Sequence, residues 1–290
     1  MRSVKFLLAA GAASLMSSTA VFAADMAIAP PPQMYAPQPV AEDFGGWYLR
    51  GDIGQTNSSG KLDQAFYRSS STTSYEQRGH QFTGGTSYGL GIGYQFNNWF
   101  RADVTGEYRS KVSFSGSDYA VVAGLGPISD NYSGGYSSWV GLANAYVDLG
   151  TWWCVTPFIG AGVGAANIKT TGLQDNGNLF TTVGTAPNTQ AVVTGSSYSA
   201  DGASKTNLAW AVHAGLAYKV NNSFTVELAY RYLNMGTAIH GAGRAFDSSI
   251  SGPSSFQYRD LTSQDVRIGV RWNLDAAPAY APPPPLIRKG

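Results

Sequence analysis

The amino-acid sequence predicts an all-β fold, in which eight antiparallel strands close into a transmembrane up-and-down β-barrel. Three observations lead to this prediction: apolar and polar residues alternate along several segments, the connections between them are alternately short and long, and tryptophans lie at segment ends. Outer-membrane barrels show this alternation because one face of each strand meets lipid and the other meets a polar lumen. The short turns are predicted to be periplasmic and the long loops extracellular.

The start of the chain, residues 1–23, has the pattern of a cleaved export signal. Arg2 and Lys5 precede a short apolar run, and Val21 and Ala23 occupy the −3 and −1 positions of a cleavage site. A membrane-spanning helix needs ~20 apolar residues, and this run is shorter. We therefore expect the segment to direct export and to be removed.

Two proline-rich stretches flank the central part of the chain. Residues 24–43 and 275–290 contain runs of proline, which cannot donate hydrogen bonds within a sheet. They are interpreted as a periplasmic spacer and a periplasmic tail. This assignment leaves residues 44–274 as a single barrel domain.

The composition is unusual for a soluble enzyme and suits a membrane barrel. Only 13% of the 290 residues are charged, whereas 35 are glycine, 17 tyrosine and 7 tryptophan. Without Arg2 and Lys5 of the predicted signal, basic and acidic residues nearly balance, so no nucleic-acid surface is expected. Cys154 is the only cysteine, which excludes a disulfide framework and, by its position, a lipidated first residue.

Alternation is clearest in the third predicted strand. Phe100, Val104 and Tyr108 alternate with Arg101 and Asp103, and a strand places successive side chains on opposite faces. The apolar residues are therefore predicted to face lipid, and the charged residues the lumen. The predicted strands are 46–56, 88–96, 100–109, 138–149, 157–165, 208–220, 224–232 and 265–274.

The connections between these strands differ sharply in length. Short turns opposite long loops are typical of outer-membrane barrels, and an even strand number returns both termini to the short-turn side. The predicted short turns are 97–98, 150–156 and 221–222, and the predicted long loops are 57–86, 110–137, 166–207 and 234–261.

Tryptophans lie at the ends of the predicted strands. Their amphipathic rings prefer the level of the lipid headgroups, so they are predicted to form the two aromatic girdles of the membrane. A soluble sandwich would place more bulky aromatics at mid-strand, in a shared core. The predicted girdle residues are Trp47, Trp99, Trp139, Trp152, Trp153, Trp210 and Trp272.

The inward faces of the predicted strands carry acids and bases in similar number. Buried charges persist only when they are paired, and the interior of eight strands is just wide enough for side chains to fill. A network of ion pairs that plugs the lumen is therefore predicted. Its predicted members are Arg50, Asp52, Arg101, Asp103, Glu107, Arg109, Asp148, Glu227, Arg231, Asp265, Arg267 and Arg271.

Three functions remain open at this point, and the first is favoured. It is a structural or surface-interaction barrel that contributes to envelope integrity and presents its loops. The second is a small diffusion channel, because inward glycines leave local space and a channel would use the same residue types. The third is binding of haem or another ligand by the loops, through His80, His240 or loop tyrosines such as Tyr67, Tyr75 and Tyr132.

Enzymatic activity is not expected. An outer-membrane hydrolase needs a histidine beside a serine nucleophile or an acid. His213 lies on a predicted strand and is followed by Ala214 and Gly215, and His80 and His240 lie in predicted loops. No spacing of His, Cys and Asp suits a metal, and no cofactor is predicted.

Several segments resemble the small outer-membrane barrel proteins of alphaproteobacteria, especially those of rhizobia. The resemblance covers most of residues 24–274 but not the long loops. The segments that carry it are Ala24-Asp25 before the spacer, GGWYLRGDIG at 45–54, NAYVDLG at 144–150, PFIGAGVG at 157–164 and VRIGVRW at 266–272.

The resemblance implies a porin-family barrel of eight strands, similar to the transmembrane domain of OmpA. Family roles include envelope integrity, surface adhesion and, in some members, haem capture, and the family has no catalytic set. Such barrels usually finish at an aromatic residue, whereas this chain continues past Trp272 to Gly290. The expected location is the outer membrane of a Gram-negative bacterium with both termini periplasmic. The expected partners are outer-membrane lipid, lipopolysaccharide and the barrel-assembly machinery.

Overall fold

The computed structural model describes residues 45–64, 71–246, 251–254 and 256–275. The predicted export signal, the spacer and the tail beyond Asp275 lie outside these residues. All regular structure in the described part is β, and no helix within it has the length and apolar character to cross a membrane.

The described chain forms thirteen strands in one sheet. They are numbered here in chain order. The strands are β1 (Gly46–Gln64), β2 (Thr72–Phe82), β3 (Gly85–Gln95), β4 (Phe100–Val122), β5 (Gly126–Asp148), β6 (Val155–Thr170), β7 (Leu173–Thr185), β8 (Asn188–Ala200), β9 (Ser204–Lys219), β10 (Phe224–Ile239), β11 (Ala242–Ala245), β12 (Ser251–Pro253) and β13 (Phe256–Asn273).

Eight of these strands close into a ring. Strand β1 pairs antiparallel with β3 on one side and with β13 on the other. The remaining ring pairings are β3–β4, β4–β5, β5–β6, β6–β9, β9–β10 and β10–β13, all antiparallel. The predicted arrangement of eight antiparallel strands is confirmed. A closed ring leaves no open sheet edge within it, which is what a strand in lipid requires.

The predicted parity of the ring strands holds. In β4, Val104 and Tyr108 are exposed on the outer face, whereas Arg101 and Asp103 are buried inside the ring. A single frame of alternation places apolar residues outside on the other ring strands as well, because each pairs in register with its neighbours. Exposed outer residues include Ile53, Leu90, Ile92, Ile159, Val163, Val212, Leu228, Ile268 and Val270.

One end of the ring, here called the turn rim, has short connections. The side chain of Asn97 accepts hydrogen bonds from the backbone N–H groups of Trp99 and Phe100 at 3.0 and 2.7 Å. Asn221 makes the equivalent pair of bonds in the β9–β10 turn. Asparagine forms such bonds readily in tight turns, which explains why both turns carry an Asn-Asn pair. The first and last ring strands also meet at this rim, where Tyr48 pairs with Asn273.

At the opposite end the ring strands run on beyond their predicted ends, and the predicted long connections contain strands instead of irregular loops. Strands β4 and β5 pair almost continuously up to Val122 and Gly126. Their Ser-, Thr- and Gly-rich sequence alternates weakly, but backbone pairing with a neighbouring strand does not require alternation. The structure that they build is called the extension here. It comprises the described residues among 57–84, 110–137, 167–206 and 234–263.

Candidate functional site

All the charged residues predicted for the lumen lie inside the ring. Their side chains are at most 8% exposed. Charges buried to this extent require partners, because desolvation of an unpaired ion costs several kcal/mol. The set is called the lumen network here and consists of Arg50, Asp52, Arg101, Asp103, Glu107, Arg109, Asp148, Glu227, Arg231, Asp265, Arg267 and Arg271.

Near the turn rim, Glu227 of β10 is the centre of the network. Its carboxylate lies 3.5 Å from Arg50, 3.4 Å from Arg101 and 3.5 Å from Arg271. Arg101 also contacts Asp148 at 3.3 Å. Three arginines from three different strands therefore converge on one carboxylate.

Toward the extension, Arg231 and Arg109 join two carboxylates. Arg231 Nη2 lies 2.7 Å from Glu107 Oε1 and 2.6 Å from Asp265 Oδ2. Arg109 Nη1 lies 2.9 Å from each of the same two oxygens. Arg267 bridges Glu107, at 3.1 Å, to Asp52. This part is linked to the rim part through the 3.6 Å contact between Asp52 and Arg50, so the lumen network is continuous.

Neutral side chains complete the network, among them Tyr48, which was not predicted as a site residue. Its hydroxyl donates to Asp103 at 3.1 Å, and Arg50 donates to the hydroxyl of Tyr146 at 3.0 Å. The guanidinium of Arg101 lies 4.2 Å from the centre of the Tyr146 ring, a cation–π distance. Tyr48 shares the parity of Arg50, so the alternation already carried the signal for it.

His213 belongs to the lumen as a hydrogen-bonding group. Its Nε2 lies 3.2 Å from Asn144 Oδ1, and Asn144 donates to Asp103 at 2.8 Å. The imidazole is thus tied to the network through the amide of Asn144. Within the described residues there is no group of three or more His, Cys, Asp or Glu able to hold a metal ion.

Most inward glycines of β3 and β6 lie against side chains of neighbouring strands, whereas Gly164 lies against the backbone of Gly141. A Cβ added at Gly89 would lie 2.7 Å from Asp52 Oδ1, and one at Gly93 would overlap the ring of Tyr48. Glycine at these positions therefore makes room for larger neighbours and leaves no local void, contrary to the expectation from sequence. The other pairs are Gly91 with Thr105, Gly160 with Tyr146 and Gly162 with Asn144.

The extension has an aromatic core, which changes the interpretation of its histidines. His240 is buried, and His80 Nδ1 lies 3.0 Å from the hydroxyl of Tyr132. The His80 ring stacks on Tyr258, with 5.7 Å between centroids, and Tyr258 packs edge-on against Phe114 at 4.6 Å. The prediction that His80 and His240 lie in loops is corrected as follows: His80 lies on β2 and is half-buried, and His240 directly follows β10 and is buried. Tyr67 lies outside the described residues.

Burial also changes the pKa of Asp175, which lies on β7 in the extension. Together with the neighbouring carboxylates of Asp130 and Asp118, it raises the pKa of Asp175 to about 8. An acid with a raised pKa binds its proton more tightly in the folded state than in the unfolded chain. Stability therefore falls as the pH rises from about 4 to about 8.

Substitution of Asp175 by asparagine should remove this pH dependence. We expect hydrogen-exchange protection of the β7 amides, corrected for intrinsic rates, to fall about tenfold or more between about pH 5 and about pH 8 in the original protein. Asp175→Asn should keep the same protection at both. Asp201→Asn, at an exposed carboxylate of the extension, is the control and should behave like the original protein. Equal pH profiles for all three proteins would contradict the prediction.

The predicted girdle tryptophans all lie on the outside. Trp47, Trp99, Trp152 and Trp272 are about half exposed and stand near the turn rim. Trp153 adjoins them in the β5–β6 turn. Trp139 and Trp210 are exposed at the other end of the ring wall, where β5 and β9 pass into the extension. Their assignment to two membrane girdles stays a prediction.

A closed antiparallel ring with an apolar outer wall and a charged interior defines a β-barrel membrane protein. The chain belongs to the family of the outer membrane protein beta-barrel domain, whose model matches residues 8–273. An outer membrane is a feature of Gram-negative bacteria, and that membrane is the location of this family.

Curated relatives agree with this membership. An uncharacterized protein of Brucella abortus is 33% identical over 237 residues, which cover 76% of this chain and 78% of the relative. A Rickettsia bellii protein with the name "Putative adhesin" is 27% identical over 231 residues, covering 79% and 88%. Outer membrane protein PagN of Salmonella typhimurium is 28% identical over 152 residues, covering 51% and 56%.

Solved structures with similarity to the chain include small outer-membrane proteins. Neisserial surface protein A shares 15% identity with a TM-score of 0.36, and the match covers 79% of this chain and 97% of that one. OprG of Pseudomonas aeruginosa shares 13% identity with a TM-score of 0.38, covering 79% and 96%.

Proposed function

We propose that this protein is a closed outer-membrane barrel that carries the extension on the cell surface as an interaction structure. The turn rim and both termini then face the periplasm. The observation that carries the proposal is the lumen network, in which charged side chains of β4 and β10, on opposite sides of the ring, meet at ion-pair distance: Arg101 with Glu227 and Glu107 with Arg231. An eight-stranded ring has little interior beyond what such side chains fill.

A surface role is supported by the extension and by the relatives. The extension contains five strands that are not part of the ring, β2, β7, β8, β11 and β12. Structure of this kind at the extracellular end of a barrel is where binding functions concentrate. Relatives from Rickettsia carry the word adhesin in their names, which favours attachment as the kind of interaction.

Planar-bilayer recording tests the closed lumen. Refolded protein should give no unitary current steps, because the lumen network fills the path with paired charges. The double variant Arg101→Ser and Glu227→Ser removes a pair 3.4 Å apart without changing net charge and should produce measurable steps.

The control for this recording is the double variant Glu76→Ser and Arg78→Ser, which removes an exposed pair in the extension. It should stay silent. Stable unitary steps from the original protein would overturn the closed-lumen proposal in favour of a diffusion channel. Heat-dependent gel mobility verifies that each variant has formed the barrel.

A further inference from the structure

The β7–β8 hairpin is the part of the extension with the least charge. Residues 176–200 contain no Asp, Glu, Lys or Arg. Phe180, Val183 and Val193 are exposed along the hairpin, at 41%, 58% and 56%. Exposed β-branched and aromatic residues without interspersed charge are typical of segments that pair with another chain.

The outer side of β8 has unpaired backbone groups. Strand β8 pairs with β7 along its whole length, from Asn188 to Ala200. On its other side it pairs with β11 at Tyr198–Ala200, and the carbonyl of Ser197 accepts a hydrogen bond from the backbone N–H of Phe246 at 2.8 Å. Its remaining N–H and C=O groups on that side face no described strand, and such an edge is a template for a further strand.

The hairpin also projects beyond its neighbours. The last pairing between β7 and β5 is Leu179 with Ile128, and β7 continues to Thr185 before the chain turns back. At ~3.3 Å per residue, this places the hairpin tip about 20 Å past that pairing. The free edge of β8 is therefore carried away from the ring.

A comparison with β2 favours a second copy of this chain as the partner. Strand β2 is terminal in the sheet, whereas β8 is followed by β11 and β12 at the other end, and β2 carries Glu76 and Arg78, both more than half exposed. Charges on an edge strand discourage pairing with other strands. The β8 edge lacks this protection, and because it is uncharged, two copies of it meet without like-charge repulsion.

Geometry decides how two copies meet. Identical edges pair antiparallel about a twofold axis perpendicular to the strands. Strand β8 runs from the hairpin tip back toward the ring. A twofold axis perpendicular to β8 reverses this direction in the second copy, so the two barrels have opposite orientations. Two barrels in one membrane share an orientation, whereas barrels in two facing membranes have opposite orientations.

We propose that the free edge of β8 pairs antiparallel with the β8 edge of a second copy held in a facing outer membrane. The hairpin is then a contact between two cells that carry the same protein. This inference rests on the proposed function, since the extension must lie on the cell surface.

Vesicle association tests the inference. The refolded protein is inserted into two populations of phosphatidylcholine vesicles with different fluorescent labels, and protease added outside verifies that the extension is external. Fluorescence cross-correlation then measures association between the populations. Protein-bearing vesicles should associate with one another and not with empty vesicles.

Charged variants on the edge give the specific result. Val192→Lys vesicles and Val192→Glu vesicles should each lose self-association, by about tenfold or more, because like charges meet at the edge. A mixture of the two should associate again. Ser74→Lys, on the β2 edge, is the matched control and should associate like the original protein.

Three outcomes would overturn the inference. They are association with empty vesicles, unchanged self-association of Val192→Lys, or no association of the original protein. Each leaves the bilayer recording unaffected, so a silent lumen with no vesicle association refutes the pairing and not the closed barrel. Heat-dependent gel mobility shows that the Val192 variants retain the ring.

Discussion

Replacement of Arg231 by methionine is expected to lower the free energy of unfolding by about 3–5 kcal/mol. The Arg231 side chain is 1% exposed and lies within 2.7 Å of both Glu107 and Asp265. Methionine retains much of the volume but leaves two carboxylates with one cation fewer inside the ring. The penalty is that of buried charge without its partner, which exceeds the value of the ion pairs themselves.

Urea titration of the protein in vesicles, followed by tryptophan fluorescence, measures this change. Arg78→Met is the matched control, because Arg78 also pairs with a glutamate but is 56% exposed. Exposed pairs contribute at most about 1 kcal/mol, so the control should lose little. Equal losses of unfolding free energy for the two variants would show that the burial of Arg231 does not increase its contribution to stability.

The second large effect is expected on the outer wall. Val104 stands midway along the membrane part of β4 and is 61% exposed. Arginine in its place should cost about 2–4 kcal/mol, since a charge at the midplane of a bilayer loses its hydration. Burial within the protein does not predict this loss of stability, because the Val104 side chain is already exposed.

Val183 supplies the matched control for this substitution. It is 58% exposed, on β7 in the extension, and Val183→Arg should change the unfolding free energy by less than about 0.5 kcal/mol. Both variants are measured by urea titration in vesicles. If Val104→Arg is as stable as Val183→Arg, Val104 does not face lipid.

The ring strands and their two faces could be predicted from sequence because the alternation of apolar and polar residues within each strand shows which side faces lipid and which faces the lumen. Residues such as Arg101 and Val104 occupy fixed parities, and a one-residue slip would expose every charge to lipid. The residues that face the lumen could therefore be predicted without knowing which strands pair.

The extension and the contacts inside the ring could not be predicted in the same way. Whether Tyr48 fills the space beside Gly93 depends on the register between β1 and β3, which one strand alone does not encode. The segments that form β7 and β8 are rich in Ser, Thr, Asn and Gly with only scattered apolar residues, so they resemble loops in composition. They form strands because they pair with other segments, and the local sequence does not show which segments these are.

Ring closure also constrains the order in which the chain can fold. Strands β1 and β13 are hydrogen-bonded neighbours, with Tyr48 opposite Asn273, and the backbone N–H of Trp47 donates to the Asp275 carboxylate at 2.8 Å. The other ring pairings join ring strands that are consecutive along the chain, whereas this one joins the first ring strand to the last. Contacts of such long sequence separation form slowly. Until β13 arrives, β1 remains an open edge, and the nascent sheet must be shielded from other chains for as long as that takes.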